Sequence, residues 1–426
     1  MKRYSSMTAV LALMLAGALA LTGCPKTTGD DDPDTSTIPT IPVSDPVDKT
    51  ALQAALTAAN ATKAGTSPSI YWVITADLDT IETTFDSAIT AAQTVYDNAD
   101  ADQAAIDSAK TTLEAATTAY TGQKHDTGTN PVAVLTAIKT AYNSGNSPGT
   151  LGTQASPTSV TIIVSGTITD TSGASAYGWL DITGENAYPP IVLQGAASGG
   201  TLNVAAAPST NVLHIENNNK VTLGAHLTLT GGTGSLGYGV RVDSPATFIM
   251  NGGTISGNIG ANYGAGIRVI GGLATFTMNG GTISGNTSTG AGGGVSVETN
   301  ATFTMNDGTI SGNSSNSRGG GVEVEGTFTM EGGTISGNTA TAAGGGVNVH
   351  TAATAFTKNG GTIYGSDAGG DLANKVTTGL SGGTHYGYAV YWAKTSYLRK
   401  FDNTLGPTSA GNLSTAYNTT PWVLAQ

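Results

Sequence analysis

The stretch TFTMNGGTISGNTSTGAGGGVSV, from Thr275 to Val297, is written several times over in this chain. One column of the repeat holds Phe248, Phe276, Phe303, Phe328 and Phe356, at intervals of 28, 27, 25 and 28 residues. A period of that size marks stacked supersecondary units, each unable to bury its apolar face alone. Within one unit TFTM alternates, so Phe276 and Met278 share one face and Thr275 and Thr277 the other. TIS sends Ile283 inward, and GVSV sends Val295 and Val297 inward. Between these runs lie NGG, GN and GGG, residues that suit tight turns. Three short strands and three turns per unit predict one coil of a parallel β-helix, each strand pairing with its equivalent one coil on. The fold class is mainly β, a right-handed parallel β-helix (solenoid) preceded by a small α-helical bundle. The hand follows from the bias of parallel crossovers.

Stacking of identical coils predicts columns of Phe, Met, Ile and Val inside. Asn258, Asn286, Asn313 and Asn338 are expected to form a ladder of side-chain amides along one turn. From Phe248 to Ile267, Phe276 to Val295, Phe303 to Val322 and Phe328 to Val347 the interval is 19 residues each, whereas the second Val to the next Phe varies from four to seven. That variable corner, ETNA (Glu298 to Ala301) and its equivalents, is expected to be the free loop of the scaffold and the place for recognition. Lys358 breaks the Met column and marks the closing of the core.

Before the repeat the pattern is helical. Asp45-Pro46 is an N-cap signal, and apolar residues recur at helical spacing through Leu52 and Leu56, then Leu78 to Val95, then Ile106 to Tyr120. Residues 45–122 therefore read as a three-helix unit, with the aromatic pair Tyr71-Trp72 in its core. A further helix at 131–143 opens a capping and linker segment, 131–157. The β-helix is assigned to 158–370 and a C-terminal cap, rich in aromatics, to 371–426. The extreme N-terminus has Lys2 and Arg3, an apolar run from Met7 to Leu21, then LTGC ending at Cys24. Residues 1–23 fit a secretory signal, and the Pro-, Thr- and Asp-rich stretch 24–44 fits a disordered tether spanning roughly 25 Å.

Three resemblances follow from these residues. LTGC resembles the bacterial lipobox, which implies lipidation of Cys24 and attachment to a membrane. NADADQAAIDSAKTTLEAATTAY, Asn98 to Tyr120, resembles the FIVAR module, which implies a helical spacer of bacterial surface proteins. The NGGTISGN units resemble β-helix repeats of spirochaete-type surface lipoproteins. Together they imply a bacterial cell envelope protein, lipid-anchored at the outer membrane or cell surface.

The chain carries a net charge of −12 with only 17 Lys and Arg, which argues against a nucleic-acid partner. Charged residues are 11% and Gly numbers 60, so the chain is patterned scaffold, not a polyelectrolyte. Enzymes with β-helix folds need paired acids for sugar hydrolysis or clustered acids for Ca²⁺. Residues 201–366 hold Glu216, Asp243, Glu298, Asp307, Glu323, Glu325 and Glu331, without an Asp-Asp pair. The five histidines show no metal-ligand spacing, so neither a metal nor a cofactor is expected. The remaining constellation is the acidic face of Asp243, Glu298, Glu323 and Glu325, which in stacked coils would meet a cation or sugar hydroxyls. The expected function is adhesion or binding of a glycan or host-surface ligand without catalysis. A polysaccharide lyase or glycoside hydrolase with an atypical site, and a purely structural spacer, are the alternatives. The sequence sets no oligomeric state.

Overall fold

The structure is a computed structural model and describes residues 46–64, 69–74, 78–126, 130–143, 152–153, 156–157, 159–169, 180–183, 188–204, 210–260, 262–365, 370–378, 389–392, 398–400, 412–413 and 422–424. The segments expected to be signal and tether, with Cys24, lie outside them. From Val47 onward the residues form one compact unit.

Three helices, α1 (Thr50–Ala64), α2 (Leu78–Asp97) and α3 (Gln103–Gln123), pack around Leu52, Leu56, Ile81, Phe85, Ile106, Leu113 and Tyr120. The Phe85 and Tyr120 rings stack at 4.1 Å. Asp102 caps α3 by accepting from the Ala105 amide at 2.8 Å, which satisfies one of the free amides of the first turn. No helix among the described residues is long and apolar enough to cross a membrane.

The link between α1 and α2 departs from the sequence reading. SIYWVI (Ser69–Ile74) is a strand, antiparallel to the first long solenoid strand, Val160–Thr169, with Trp72 opposite Ile162. Trp72 belongs to the solenoid core and not to the helical bundle. A run of β-branched and aromatic residues suits a strand, and the first strand of a solenoid otherwise offers an unpaired edge. Helix α4 (Pro131–Asn143) buries Val134, Leu135 and Ile138 in that same solenoid core.

The repeat folds as a parallel β-solenoid. Phe248 pairs with Phe276, then Phe303, Phe328 and Phe356, in unbroken register. Their rings stack with centroids 4.5–5.5 Å apart. Met250, Met278, Met305 and Met330, and Ile255, Ile283, Ile310 and Ile335, line up beside them and are fully buried. The valine strands form a separate nine-stranded sheet among the described residues. Each coil also carries a fourth strand of two residues, such as Thr287–Ser288 and Ser314–Ser315, in a six-stranded sheet of its own. The sequence reading gave three strands per coil, because two residues are too few to show a period.

The asparagine ladder is continuous. The amide of Asn258 donates to Asn286 at 2.9 Å, Asn286 to Asn313 at 2.9 Å, Asn313 to Asn338 at 2.9 Å and Asn338 to Asn374 at 3.0 Å. The oxygen of each also accepts a backbone amide of the previous coil, as Asn313 does from Asn286 at 3.0 Å. A second, exposed ladder runs Asn306 to Asn279 to Asn251 at 2.7 and 2.8 Å. Asn374 shows that the coils continue into the segment read as a cap. Lys375–Val376 and Val390–Trp392 pair in parallel with the preceding coil. Antiparallel strands then cover that end, Trp422–Leu424 on Ala355–Lys358 and Asn412–Leu413 on Val390–Trp392. Lys358, opposite Trp422, is buried, and burial lowers its pKa to about 8.

The two ladders differ in burial, so they should differ in energy. Asn313→Ala is expected to cost about 1–3 kcal/mol, the price of orphaned buried polar groups. Asn279→Ala, in solvent, should cost about 0.5 kcal/mol or less. Urea unfolding of both variants checks the contrast, and equal losses would show that burial of the ladder contributes nothing.

Candidate functional site

The outward residues between the paired valines form one column across the coils: Asp181, His214, Arg241, Arg268, Ser296, Glu323, Asn348 and Tyr391. Outward residues of a sheet normally meet water, yet His214, Ser296, Glu323 and Asn348 are at most 3% exposed. For Ser296, Glu323 and Asn348 the glycine corner explains this. It folds back over the column, where side chains on the loop would collide. A Cβ on Gly344 would lie 2.7 Å from that of Asn348, and one on Gly292 3.0 Å from that of Ser296. Both glycines have φ of 65–68°, a left-handed conformation that favours glycine.

The column changes character along its length. At its start, His214 Nδ1 meets Asp181 at 2.8 Å and Nε2 meets Asp243 at 3.1 Å. Burial opposes a charge on the ring, but hydrogen bonds and charge from Asp181 and Asp243 outweigh it and raise its pKa to about 9. Arg241 pairs with Asp243 at 2.8 Å. In the next coil Arg268 pairs with Glu298 at 2.6 Å, donates to the Tyr238 hydroxyl at 2.7 Å, and lies over the rings of Tyr238 and Tyr263. Asp243 and Glu298, both expected to face a ligand, thus each sit against a cation of the same face.

Glu323 has no such partner. Its Oε1 accepts from the Asn348 amide at 2.8 Å. Its Oε2, the Ser296 hydroxyl and the Asn348 carbonyl oxygen have no hydrogen-bond partner among the described residues. Three orphaned polar atoms on three consecutive rungs are unusual, since buried polar groups are nearly always satisfied. Burial, with the nearby Glu325 adding to it, pushes the Glu323 carboxyl up to about 8 against the pull of the Asn348 amide and Arg318.

Above Glu323 opens a pocket of about 180 Å³, lined by Asn262, Tyr263, Arg318, Glu325 and His350 among others. Glu323 lies in its wall, and Tyr263 offers a part-exposed ring. The site therefore lies between the loop that leads into the glycine corner, whose length is constant, and the first residues of the variable corner, Glu325 and His350. The variable corner is a tight turn: the Ala301 amide donates to the Glu298 carbonyl at 2.9 Å and Ala301 is fully buried, as are Ala246 and Ala353 in equivalent turns. An exposed turn of a few residues tolerates insertion, and its first residue, Glu325 in one coil and His350 in the next, lines the pocket. Of the four expected residues the structure brings Glu323 and Glu325 together in one pocket, and it ties Asp243 and Glu298 into ion pairs. Arg318 and Tyr263, which the sequence reading passed over, carry a weak signal: they occupy positions held by Ala in a neighbouring coil.

A larger cleft lies where the helices meet the solenoid, near Lys63, Asp86, Tyr120 and Lys124, and within it Lys63 pairs with Asp86. No family model, no curated protein and no solved structure matches the chain.

The buried carboxyl predicts a pH effect on stability. The proton of Glu323 is held more tightly in the fold, near 8, than in the unfolded chain, near 4.5. Its contribution is favourable below pH 4.5, declines as pH rises from there to 8, and is lost above 8. The slope is at most about 1.4 kcal/mol per pH unit. Glu323→Gln should remove this slope and be the more stable protein at pH 8. Urea midpoints of both proteins between pH 5 and 9 check it; parallel curves would refute the burial of an ionisable Glu323.

Proposed function

We propose that this chain is a lipid-anchored protein of a bacterial cell envelope that displays a rigid β-solenoid for adhesion or ligand binding, without catalysis. The observation that carries the reading is the pocket around Glu323. It sets an aromatic face, Tyr263, beside a cation, Arg318, a carboxylate, Glu325, and an amide, Asn262. Opposite charges at its rim and a carboxyl kept neutral by burial favour a hydroxyl-rich, uncharged ligand, so a glycan fits better than a polyanion. The apolar face of a sugar ring stacks on Tyr, while its hydroxyls both donate and accept. The lipobox-like LTGC supports anchoring through Cys24, and the helical module supports a spacer between membrane and solenoid.

A second reading draws on the same pocket. A carboxyl held protonated beside a second carboxylate is the arrangement glycosidases use for acid catalysis. Glu323 would be the acid and Glu325 its partner.

Glycan and host-matrix arrays test the display reading. Retention of one glycan class, lost at least ten-fold in Arg318→Ala and Glu325→Ala, is expected. No binding to any array supports a spacer only. Release of new reducing ends from the bound glycan, abolished by Glu325→Gln, would replace display by hydrolysis. Anchoring is tested apart from this: Cys24→Ser should shift the protein from the membrane to the soluble fraction, and unchanged membrane retention would contradict it.

A further inference from the structure

At the start of the outward column, well before the Glu323 pocket in the stack, three side chains from two neighbouring coils converge. His214 Nε2 lies 3.1 Å from Asp243 Oδ2 and 3.9 Å from Glu216 Oε2. The ligand atoms of all three lie within 4.8 Å of one another, the one such group of His, Cys, Asp and Glu among the described residues. We infer that His214, Glu216 and Asp243 form a binding site for a divalent transition cation of the zinc or manganese class.

The distances carry the argument first. A cation held tetrahedrally at about 2.0–2.1 Å from each donor sets the donors about 3.4 Å apart, and the separations of 3.1 and 3.9 Å bracket that value. The longer one is too long for a hydrogen bond, so hydrogen bonding alone does not account for Glu216 facing the ring. The donors also have the supports that metal sites use. Asp181 takes Nδ1 of His214 at 2.8 Å, which orients the ring and leaves Nε2 toward the two carboxylates, the carboxylate–histidine–metal relation. Asn217 holds the other oxygen of Glu216 at 2.7 Å and so aims Oε2 inward. His214 is buried behind, while Glu216 and Asp243 keep 33% and 19% of their side chains exposed, which provides an entry path.

Charge favours the same ligand. Three carboxylates, Asp181, Glu216 and Asp243, meet one guanidinium, Arg241. A cation at Nε2 displaces the proton that the ring otherwise holds, and the three carboxylates and one guanidinium then leave a net −2 that a divalent cation cancels. Arg241 meets both oxygens of Asp243, Oδ2 at 2.8 Å and Oδ1 at 3.0 Å, so with a metal on Oδ2 it would keep its hold through Oδ1. An imidazole with two carboxylates suits zinc or manganese, whereas an all-oxygen set would suit calcium. Water completes the coordination. The cation would pin two coils together at the end of the solenoid nearest the helices. This site does not depend on what the Glu323 pocket binds.

Titration calorimetry of the full chain, stripped with EDTA, against Zn²⁺ tests the inference. One site per chain is expected, weakened at least ten-fold in Glu216→Gln and in His214→Ala. Asp181→Asn, which touches no metal, should weaken it ten-fold or more by loosening the ring. Co²⁺ should give the absorption of a low-coordinate site containing nitrogen. Circular dichroism checks that each variant is folded; should His214→Ala unfold, the half-exposed Glu216→Gln decides. Absence of a site tighter than about 1 mM, or equal affinity in folded Glu216→Gln, overturns the proposal.

Discussion

Coil-to-coil register is the constraint on which everything else in this molecule depends. Once Phe276 lies on Phe303 and Asn286 on Asn313, each other position of the coil is placed as well. Parallel strands repeat at about 4.8 Å, so the inward side chains must be alike to stack without gaps. The aromatic and methionine columns provide this on one side. On the other, the buried asparagines tie each coil to the next twice, through the side chain and through a backbone amide. A one-residue slip in either would turn the apolar set outward, and the two together leave one register.

Both ends of such a stack expose unpaired strands, and this chain covers both with antiparallel strands. Ser69–Ile74 closes one end and Trp422–Leu424 the other. Trp72 sits in the core at the first, and Lys358 is buried against the second strand at the other. At each end the strand next to the parallel stack runs the other way, so the parallel series of coils stops there and its edge is covered.

The inward columns and the asparagine ladder were legible in the sequence because they recur at nearly constant intervals. What was not legible has a physical reason in each case. Trp72 looked like helical-bundle core because it lies between two helices in sequence; its partner, Ile162, is far along the chain. Asn374 escaped notice because an insertion places it 36 residues after Asn338 instead of one ordinary coil. The pocket was expected at the corner of variable length, and that corner is a tight turn over a buried Ala301. Glu325 and His350 bring that corner to the pocket, but the pocket's other wall is the loop into the constant glycine corner, where only glycine lets the backbone pass over Ser296, Glu323 and Asn348. Glu323 and Glu325 were read as an exposed acidic face; one of them is buried and neutral. His214 and Asp243 are 29 residues apart, so no linear spacing rule brings them together. In a solenoid, chemistry is assembled one coil apart.

The register itself is open to direct measurement. In a Cys24→Ser background, nitroxide labels on the outward positions Ile249, Thr277, Thr304 and Thr329 lie on successive rungs of one sheet. Dipolar EPR on pairs of these positions should give separations that grow by about 4.8 Å for each coil between them. Separations that do not grow in order along that series would contradict a parallel, in-register solenoid and everything placed upon it.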